Sequence, residues 1–275
     1  MIKIKSEIII CIACYNEEKW IEEALKSLLS QSYKDFKIVI SDNYSTDNTF
    51  DICKRYANTD ARIYLHRNKS NIGSYGNGAK LLSMTDCEYL MILGAHDYIS
   101  HNFIYNHYTF MKENTDHSLS YSPTVFIDEN GHYVKKGNTK NLSLIKGKNI
   151  EKYINSINYV EEGTPINQLI RRKCLDTATI KKTHGCDLII LSHLLFRGKF
   201  HYDENSFYYR RHFYQRNSEY AERLTGIKNS KPDKHLFIHT YIEDFLKLPI
   251  SAKERAYWNP IFKKTLLQRF GHFLK

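Results

Sequence analysis

Short apolar runs end near positions 14, 41, 67 and 94, at intervals of 27, 26 and 27 residues, and a segment of helical periodicity follows each of the first three. One strand, one helix and two turns fill such an interval. The spacing therefore specifies repeated βα units, a parallel sheet and right-handed crossovers. The first run, Ile8-Ile9-Ile10-Cys11-Ile12-Ala13, is continuously apolar, as a strand covered on both faces must be. Residues 16–30 place Ile21, Ala24, Leu25, Leu28 and Leu29 on one helical face, with Asn16 as the expected N-cap and Glu17 and Glu18 complementing the positive helix end. Strands are expected at 37–41, 62–67 and 89–94, and helices at 49–57 and 76–84.

The chemically rich segments follow these strands. They are Tyr15-Asn16-Glu17-Glu18, Asp42-Asn43-Tyr44-Ser45-Thr46-Asp47, Arg67-Asn68-Lys69-Ser70-Asn71 and His96-Asp97. Open α/β sheets bind ligands in the crevice at the carboxyl ends of their strands, so four polar clusters at four successive ends are expected to meet in one site.

Residues 101–215 lose that rhythm. Glu129-Asn130-Gly131 supplies a turn with positive φ between expected strands at 120–128 and 132–136, a helix is expected at 187–196, and Gly198 precedes a short strand through 207–209. After Lys231-Pro232 the chain reads as helical, with Asn259-Pro260 as a helix start and an apolar stripe of Ile261, Phe262, Leu266, Phe270 and Phe273 or Leu274 flanked by Lys263, Lys264, Arg269 and Lys275. Such a tail suits an anionic bilayer surface equally with packing on the body or on a second copy, as in a homodimer. The chain thus divides into 1–100, 101–230 and 231–275.

With 275 residues and 42% hydrophobic content, one α/β body with an appendage can bury a sufficient core. The net charge of +10, the pI near 9.1 and the mean hydropathy of −0.52 describe a chain whose surface attracts anions. No nucleic-acid motif is present, so the expected anion is a phosphate-bearing small molecule and not nucleic acid. The six cysteines lie mostly in apolar or helical segments, and Cys11 and Cys14 form a C-x-x-C without a second pair at zinc spacing, so reduced, buried thiols are expected. No stretch approaches the length of a membrane span and no signal-type apolar region follows Met1, which together lead to an expectation of a cytoplasmic protein.

In order along the chain, Ile9 to Glu18, Leu28-Leu29-Ser30-Gln31-Ser32-Tyr33 and Asp42 to Asp47 resemble the opening strand with its Tyr-Asn-Glu turn, the following helix end, and the Asp-Asp-Gly-Ser-Thr-Asp loop of the family 2 glycosyltransferases. Asn43 stands for the second acid of that loop and Tyr44 for its Gly. The resemblance spreads over residues 6–215. It implies the GT-A fold, an α/β, Rossmann-like body with a mostly parallel central sheet and flanking helices, here with a C-terminal helical extension.

It further implies inverting transfer of a sugar from a nucleotide diphosphate donor, most simply UDP-linked, to a hydroxyl of a glycan or glycolipid in surface polysaccharide assembly. Cys14, Tyr15 and Glu17 would line the nucleoside pocket, Asp42 and Asn43 would bond the base, and Arg67 with Asn71-Ile72-Gly73 would sit near ribose and phosphates. Asp47 reads mainly as a helix cap. Where many members carry Asp-x-Asp or Asp-x-Asp-Asp, Leu93-Gly94-Ala95-His96-Asp97 retains one carboxylate. Asp97 is the implied ligand of a divalent cation, Mn²⁺ or Mg²⁺. His96 is either a second ligand, favouring Mn²⁺ because imidazole is the softer donor, or a direct contact to phosphate or ribose. His184-Gly185-Cys186-Asp187 resembles the segment carrying the family's catalytic acid, with Cys186 for Glu and Asp187 as the implied base; its alternative role is capping a helix. Tyr209-Arg210-Arg211-His212 with Ser218 resembles a region that closes over the diphosphate, and His212 is the implied metal or phosphate contact.

The missing acids at Gly94, His96 and Cys186 keep a second reading open, a nucleotide-sugar-binding module that has lost catalysis. An NAD-dependent oxidoreductase is disfavoured because no Gly-x-Gly-x-x-Gly follows the first strand.

Overall fold

The structure, a computed structural model, describes residues 3–137, 139–160, 163–175, 185–213 and 234–274. His184, Ser218 and Lys231-Pro232, singled out above, lie outside the described residues, as does any test of a boundary at 230.

Strand β1 is Ile4–Lys5, and β2, Ile8–Cys14, is buried along nearly its whole length, as its unbroken apolar run requires. Helix α1 (Ile21–Leu29), β3 (Lys37–Asp42), α2 (Thr49–Thr59), β4 (Ile63–Arg67), α3 (Gly73–Ser83), β5 (Thr85–Asp86) and β6 (Tyr89–Ile92) complete the βα half. Next come β7 (Tyr98–Ile99), α4 (Phe103–Glu113), β8 (His117–Tyr121), β9 (Thr124–Ile127) and β10 (Tyr133–Lys136). They are followed by α5 (Asn149–Tyr159), β11 (Leu169–Arg171), α6 (Cys186–Arg197), β12 (Lys199–Tyr202) and β13 (Tyr208–Arg211). Helices α7 (Lys234–Lys247) and α8 (Ala252–Phe270) form the C-terminal part.

The main sheet has the order β12-β8-β11-β6-β2-β3-β4. β6, β2, β3 and β4 run parallel, β11 is antiparallel to both neighbours, and β12 is parallel to β8. This is the mostly parallel sheet that the 26- to 27-residue spacing demanded. Its two faces carry separate cores, one with α1 and α4 and the other with α3 and α6. Ile8, Ile9, Ile10 and Ile12 are each 0% exposed, and each buried isoleucine contributes roughly 2 kcal/mol. A smaller sheet, β10-β9-β13-β7, lies beyond β6 in the chain.

Several expected boundaries moved for identifiable reasons. Helix α1 starts at Ile21, not near Asn16, because residues 15–20 form a loop and Asn16 takes φ +56°. Helix α3 starts earlier than expected, at Gly73, whose φ of +74° lets the chain turn into the helix. The expected strand 120–128 is two strands in different sheets, interrupted at Ser122-Pro123. The hairpin at Asn130-Gly131 is present as the antiparallel β9–β10 pair with Gly131 at φ +89°. Asn259-Pro260 is not a helix start; Pro260 lies inside α8, which begins at a capping box of Ser251 and Glu254.

Of the tail's apolar stripe, Phe262, Leu266 and Phe270 are turned inward, while Ile261 is exposed. Phe262 and Leu266 are 0% exposed, in a core shared with α5, α6 and α7. All six cysteines are free thiols, five of them buried. Among the described residues, no helix is long and apolar enough to cross a membrane.

Candidate active site

Strand register alone gathers the rim. Cys14 pairs with Asp42 across β2 and β3, Asp42 pairs with Arg67 across β3 and β4, and the Leu93 amide just beyond β6 donates to the Cys11 carbonyl. Four carboxyl ends therefore share one edge.

Two loops above that edge are locked together. Asn16 N donates to Ser45 Oγ at 3.0 Å, Glu17 N to Thr49 Oγ1 at 2.7 Å and Glu18 N to Asp47 Oδ2 at 3.1 Å. In return, Asn16 Oδ1 accepts from Thr46 N at 2.9 Å. Asn16 is thus a clasp between loops and not a helix cap, and its left-handed backbone turns the side chain across. Asp47 does cap: its Oδ1 accepts from Thr49 N and Thr49 Oγ1 at the start of α2.

Asp42 is fully buried beneath these loops. Its Oδ2 accepts from Ser45 N at 3.1 Å and lies 3.1 Å from Arg67 Nε. Arg67 in turn donates to the Ser45 carbonyl and sits between the rings of Tyr44 and Phe50, 5.4 and 4.4 Å from their centroids. Tyr44 occupies the glycine position of the loop at φ +66° and is 49% exposed. Cys14 is packed beside Asp42. Its thiol is held well above its ordinary value, foremost by its hydrogen bond with Cys53, then by burial and the negative charges of Asp42 and Glu17, so it stays protonated. Tyr15, half-buried, follows it.

Asn43 is committed to the protein. Its Nδ2 donates to Asn71 Oδ1 at 2.7 Å, and its Oδ1 accepts from Asn68 Nδ2 and Ile72 N. Asn71 Oδ1 also accepts from Gly73 N, while Asn68 Nδ2 reaches Asn77 Oδ1, which accepts from Ser41 Oγ at 2.6 Å. This asparagine lattice ties β3, the 67–73 turn and α3 into one rigid wall. Sequence reading singled out Asn43, Asn71 and Gly73 and counted Asn68 only within its polar cluster; it missed Asn77, and the recurrence of asparagine at 68, 71 and 77 was the available signal.

On the other side of the rim, His96 Nδ1 lies 3.1 Å from Glu17 Oε1 and His96 Nε2 lies 3.9 Å from Asp97 Oδ1. His96 therefore joins the donor loops to Asp97. Asp97 is 2% exposed; Tyr208 Oη donates to its Oδ2 at 2.8 Å and Arg211 N to its Oδ1 at 2.9 Å. A Cβ at Gly94 would stand 2.4 Å from Asp97 Oδ2, so there is no room for the family's first acid in this arrangement. Tyr208, a residue that sequence reading missed, anchors β13 to the rim.

The expected metal set of Asp97, His96 and His212 is not assembled. It is the Arg211 amide that reaches Asp97, while the exposed His212 is fixed by its own amide to Ile127 O and sets its ring edge-on to Phe126. Among the described residues, no group of three or more His, Cys, Asp and Glu is placed to hold a metal ion. Asp97 and His96 remain a two-donor pair that a nucleotide's phosphate oxygens can complete.

Asp187 sits in the first turn of α6, after Gly185 at φ +79°. Gly163 lets the carboxylate approach, since a Cβ there would be 2.6 Å from Asp187 Oδ2. The adjoining 3₁₀ turn Thr164–Asn167 carries the connection to the rim: Arg210 Nη1 donates to Thr164 Oγ1 at 2.6 Å, and Asn167 Nδ2 reaches Tyr208 Oη at 3.4 Å. Across the cleft, Cys186 Sγ lies 3.9 Å from Tyr75 Oη on α3. The second half of the chain thus meets the donor loops through Asp97, Tyr208 and Tyr75.

The model described as Glycosyl transferase family 2 matches residues 9–177, more than half of the chain. The chain belongs to glycosyl transferase family 2. A relative within the family, the UDP-Glc:alpha-D-GlcNAc-diphosphoundecaprenol beta-1,3-glucosyltransferase WfaP of Escherichia coli, is 32% identical over 127 residues, covering 46% of this chain and 46% of WfaP. The chain spans about half the length of the first curated relatives it matches. Among solved structures, S. aureus TarS 1-349 in complex with UDP-GlcNAc is similar with a TM-score of 0.65 at 17% identity, over 95% of this chain and 71% of TarS 1-349. Mannosyltransferase PcManGT from Pyrobaculum calidifontis, in complex with GDP-Man and Mn²⁺, is similar with a TM-score of 0.59 at 13% identity, over 96% of this chain and 70% of PcManGT. At those identities the likeness establishes the fold, which is GT-A. Asn43, Tyr44, Gly94, His96 and Cys186 stand where the motif resemblance implies other residues.

Proposed function

We propose that this family 2 chain is an inverting glycosyltransferase that moves a sugar from a UDP-linked donor to a hydroxyl of a glycan or lipid-linked glycan, in surface polysaccharide assembly of the bacterial type. The observation that carries the reading is the hydrogen-bonded bridge from Asp97 through Tyr208 and Asn167 to the Thr164–Asn167 turn beside Asp187. It ties the donor rim to a carboxylate across the cleft. WfaP, named for a UDP-Glc donor and a diphosphoundecaprenol-linked acceptor, and TarS, solved with UDP-GlcNAc, support the donor and acceptor classes.

In this reading Asp42 and Arg67 define the nucleoside end, and the asparagine lattice is a positioning framework that keeps their loop rigid. Asp187 takes the proton of the acceptor hydroxyl as its oxygen forms the bond to the anomeric carbon. The bond to the diphosphate breaks in line, on the opposite face, so the configuration inverts. Asp97 and His96 would hold a divalent cation, which when bound offsets the charge gathering on the diphosphate; PcManGT, solved with Mn²⁺, supports this. With two protein donors, the pair would take its cation with the nucleotide and not before it. The test is UDP release. Purified protein with Mn²⁺ is expected to release UDP from a UDP-hexose panel faster when saccharide acceptors are added. Donor binding without release across that panel would favour the non-catalytic module suggested by Gly94, His96 and Cys186.

In this reading a peripheral membrane contact does not use the buried Phe262, Leu266 and Phe270. The outer face of α8 presents Tyr257, Ile261 and Leu267, 65%, 38% and 46% exposed, beside exposed Lys253, Lys263 and Lys264. We place the peripheral contact there. The protein should co-sediment with phosphatidylglycerol vesicles at low salt and not with phosphatidylcholine vesicles, and a Lys253→Glu, Lys264→Glu double variant should lose this. Concentration-dependent growth in mass without vesicle binding would instead assign the face to a homodimer.

A further inference from the structure

A groove of about 620 Å³ opens away from the rim, between the loop after α1 and the start of α4. It is lined by Tyr33 and the 52% exposed Tyr105 together with Ser32, Lys34, Asp35, Asn102 and Asn106. A pyranose ring presents an apolar C–H face and a rim of hydroxyls that both donate and accept. Aromatic rings flanked by amides, a carboxylate and a hydroxyl match both surfaces.

The groove is connected to the site through the chain and through one hydrogen bond. The five residues from Asp97 to Asn102 can span at most about 18 Å. Along that path Tyr98 stacks on its cross-strand partner Tyr209, with ring centroids 4.5 Å apart and planes 15° apart. Phe207, two residues earlier on the Tyr209 side of the strand, is 6.4 Å from Tyr209. All three rings are half-exposed. Beneath the surface, Asn106 Nδ2 donates to the buried Ser206 Oγ, next to Phe207, at 3.1 Å, which ties the groove wall to the end of the row.

We propose that the groove of Tyr33, Tyr105, Asn102 and Asn106, with the aromatic row Tyr98, Tyr209 and Phe207 leading to it, is a distal subsite for the acceptor glycan, holding sugar units some distance behind the hydroxyl that reacts. The proposal rests on the glycosyltransferase reading for its occupant. It makes the enzyme sensitive to acceptor length, since a short acceptor fills the rim and a longer one gains the groove. Tyr105 projects from the first turn of α4 with its ring in the groove wall, so its removal leaves the core and the donor loops intact.

The experiment measures binding apart from turnover. Titration calorimetry is run with cello- and chito-oligosaccharides from disaccharide to hexasaccharide, on the wild type, Tyr105→Ala and Asn102→Ala. The expected result is affinity that rises with length in the wild type. In Tyr105→Ala the hexasaccharides should weaken about tenfold, as loss of one stacked ring implies, with disaccharides unchanged. UDP binding, followed by thermal shift in the same samples, should be equal in all three proteins. Absence of length dependence, no saccharide binding at all, or equal hexasaccharide affinity in both variants and the wild type overturns the subsite. Loss of UDP binding by the wild type would instead sink the donor reading, leaving the saccharide result legible on its own.

Discussion

Asp187→Asn is expected to lower the transfer rate by roughly 10²–10⁴-fold, the usual contribution of a positioned general base, while UDP binding stays within twofold of the wild type. Asparagine keeps the shape of the side chain, so the close approach at Gly163 and the helix start after Gly185 survive. What disappears is the capacity to take a proton. The neighbouring Cys186 is a poor substitute: burial, the larger cause of its raised value and one the variant leaves in place, disfavours the thiolate. Single-turnover assays with saturating donor and acceptor separate this loss from binding. A variant with wild-type turnover would show that Asp187 is a structural residue of the α6 terminus.

The second large effect is expected at Asp97. Asp97→Ala removes the acceptor of two buried donors, Tyr208 Oη and Arg211 N. Each orphaned group costs about 1–3 kcal/mol, so urea unfolding should show a loss of several kcal/mol in total. The Tyr208 hydroxyl does not escape by ionising, because burial, the larger cause of its raised value and one the variant leaves in place, disfavours the phenolate. Asp97→Asn is the informative partner: its oxygen keeps the bond from Arg211 N, while its amide nitrogen faces the Tyr208 hydroxyl, which can rotate to accept, so stability should fall by less than in Asp97→Ala, whereas any stimulation by Mn²⁺ should vanish with the carboxylate's charge. Gly94→Asp, which restores the family's first acid, should impair the protein instead of improving it, since its Cβ would stand 2.4 Å from an oxygen pinned on both sides. Full Mn²⁺ stimulation in Asp97→Asn would remove this residue from any metal site.

The parallel half of the fold was legible because hydrophobic periodicity and βα spacing are local signals. The rim was legible for the same reason: parallel strands of matched length place Cys14, Asp42 and Arg67 side by side without any tertiary knowledge. Non-local choices were hidden. Nothing near Asn16 announces that its side chain clasps Thr46 in place of capping a helix, and nothing near Tyr208 announces a bond to Asp97. His212 was misplaced as a ligand because a motif fixes order along the chain, whereas strand pairing with Ile127 fixes which group of 211–212 reaches the carboxylate. For the tail, a bilayer surface and packing on the body stayed equally open in the sequence because an inward stripe and a membrane stripe have the same periodicity. Ser251-x-x-Glu254, overlooked beside Asn259-Pro260, was the better helix-start signal.

Phe237 of α7 lies against Gly185, close enough that a Cβ there would be 3.0 Å from the ring, and Tyr241 bonds the Ser192 hydroxyl within α6. The last two helices therefore brace the very turn from which Asp187 projects. A chimera that keeps residues 1–213 and borrows its ending from another protein would inherit the rim intact with an ill-aimed Asp187 carboxylate. Swaps meant to change which sugar is accepted should carry residues 234–274 along with α6 as a single cassette.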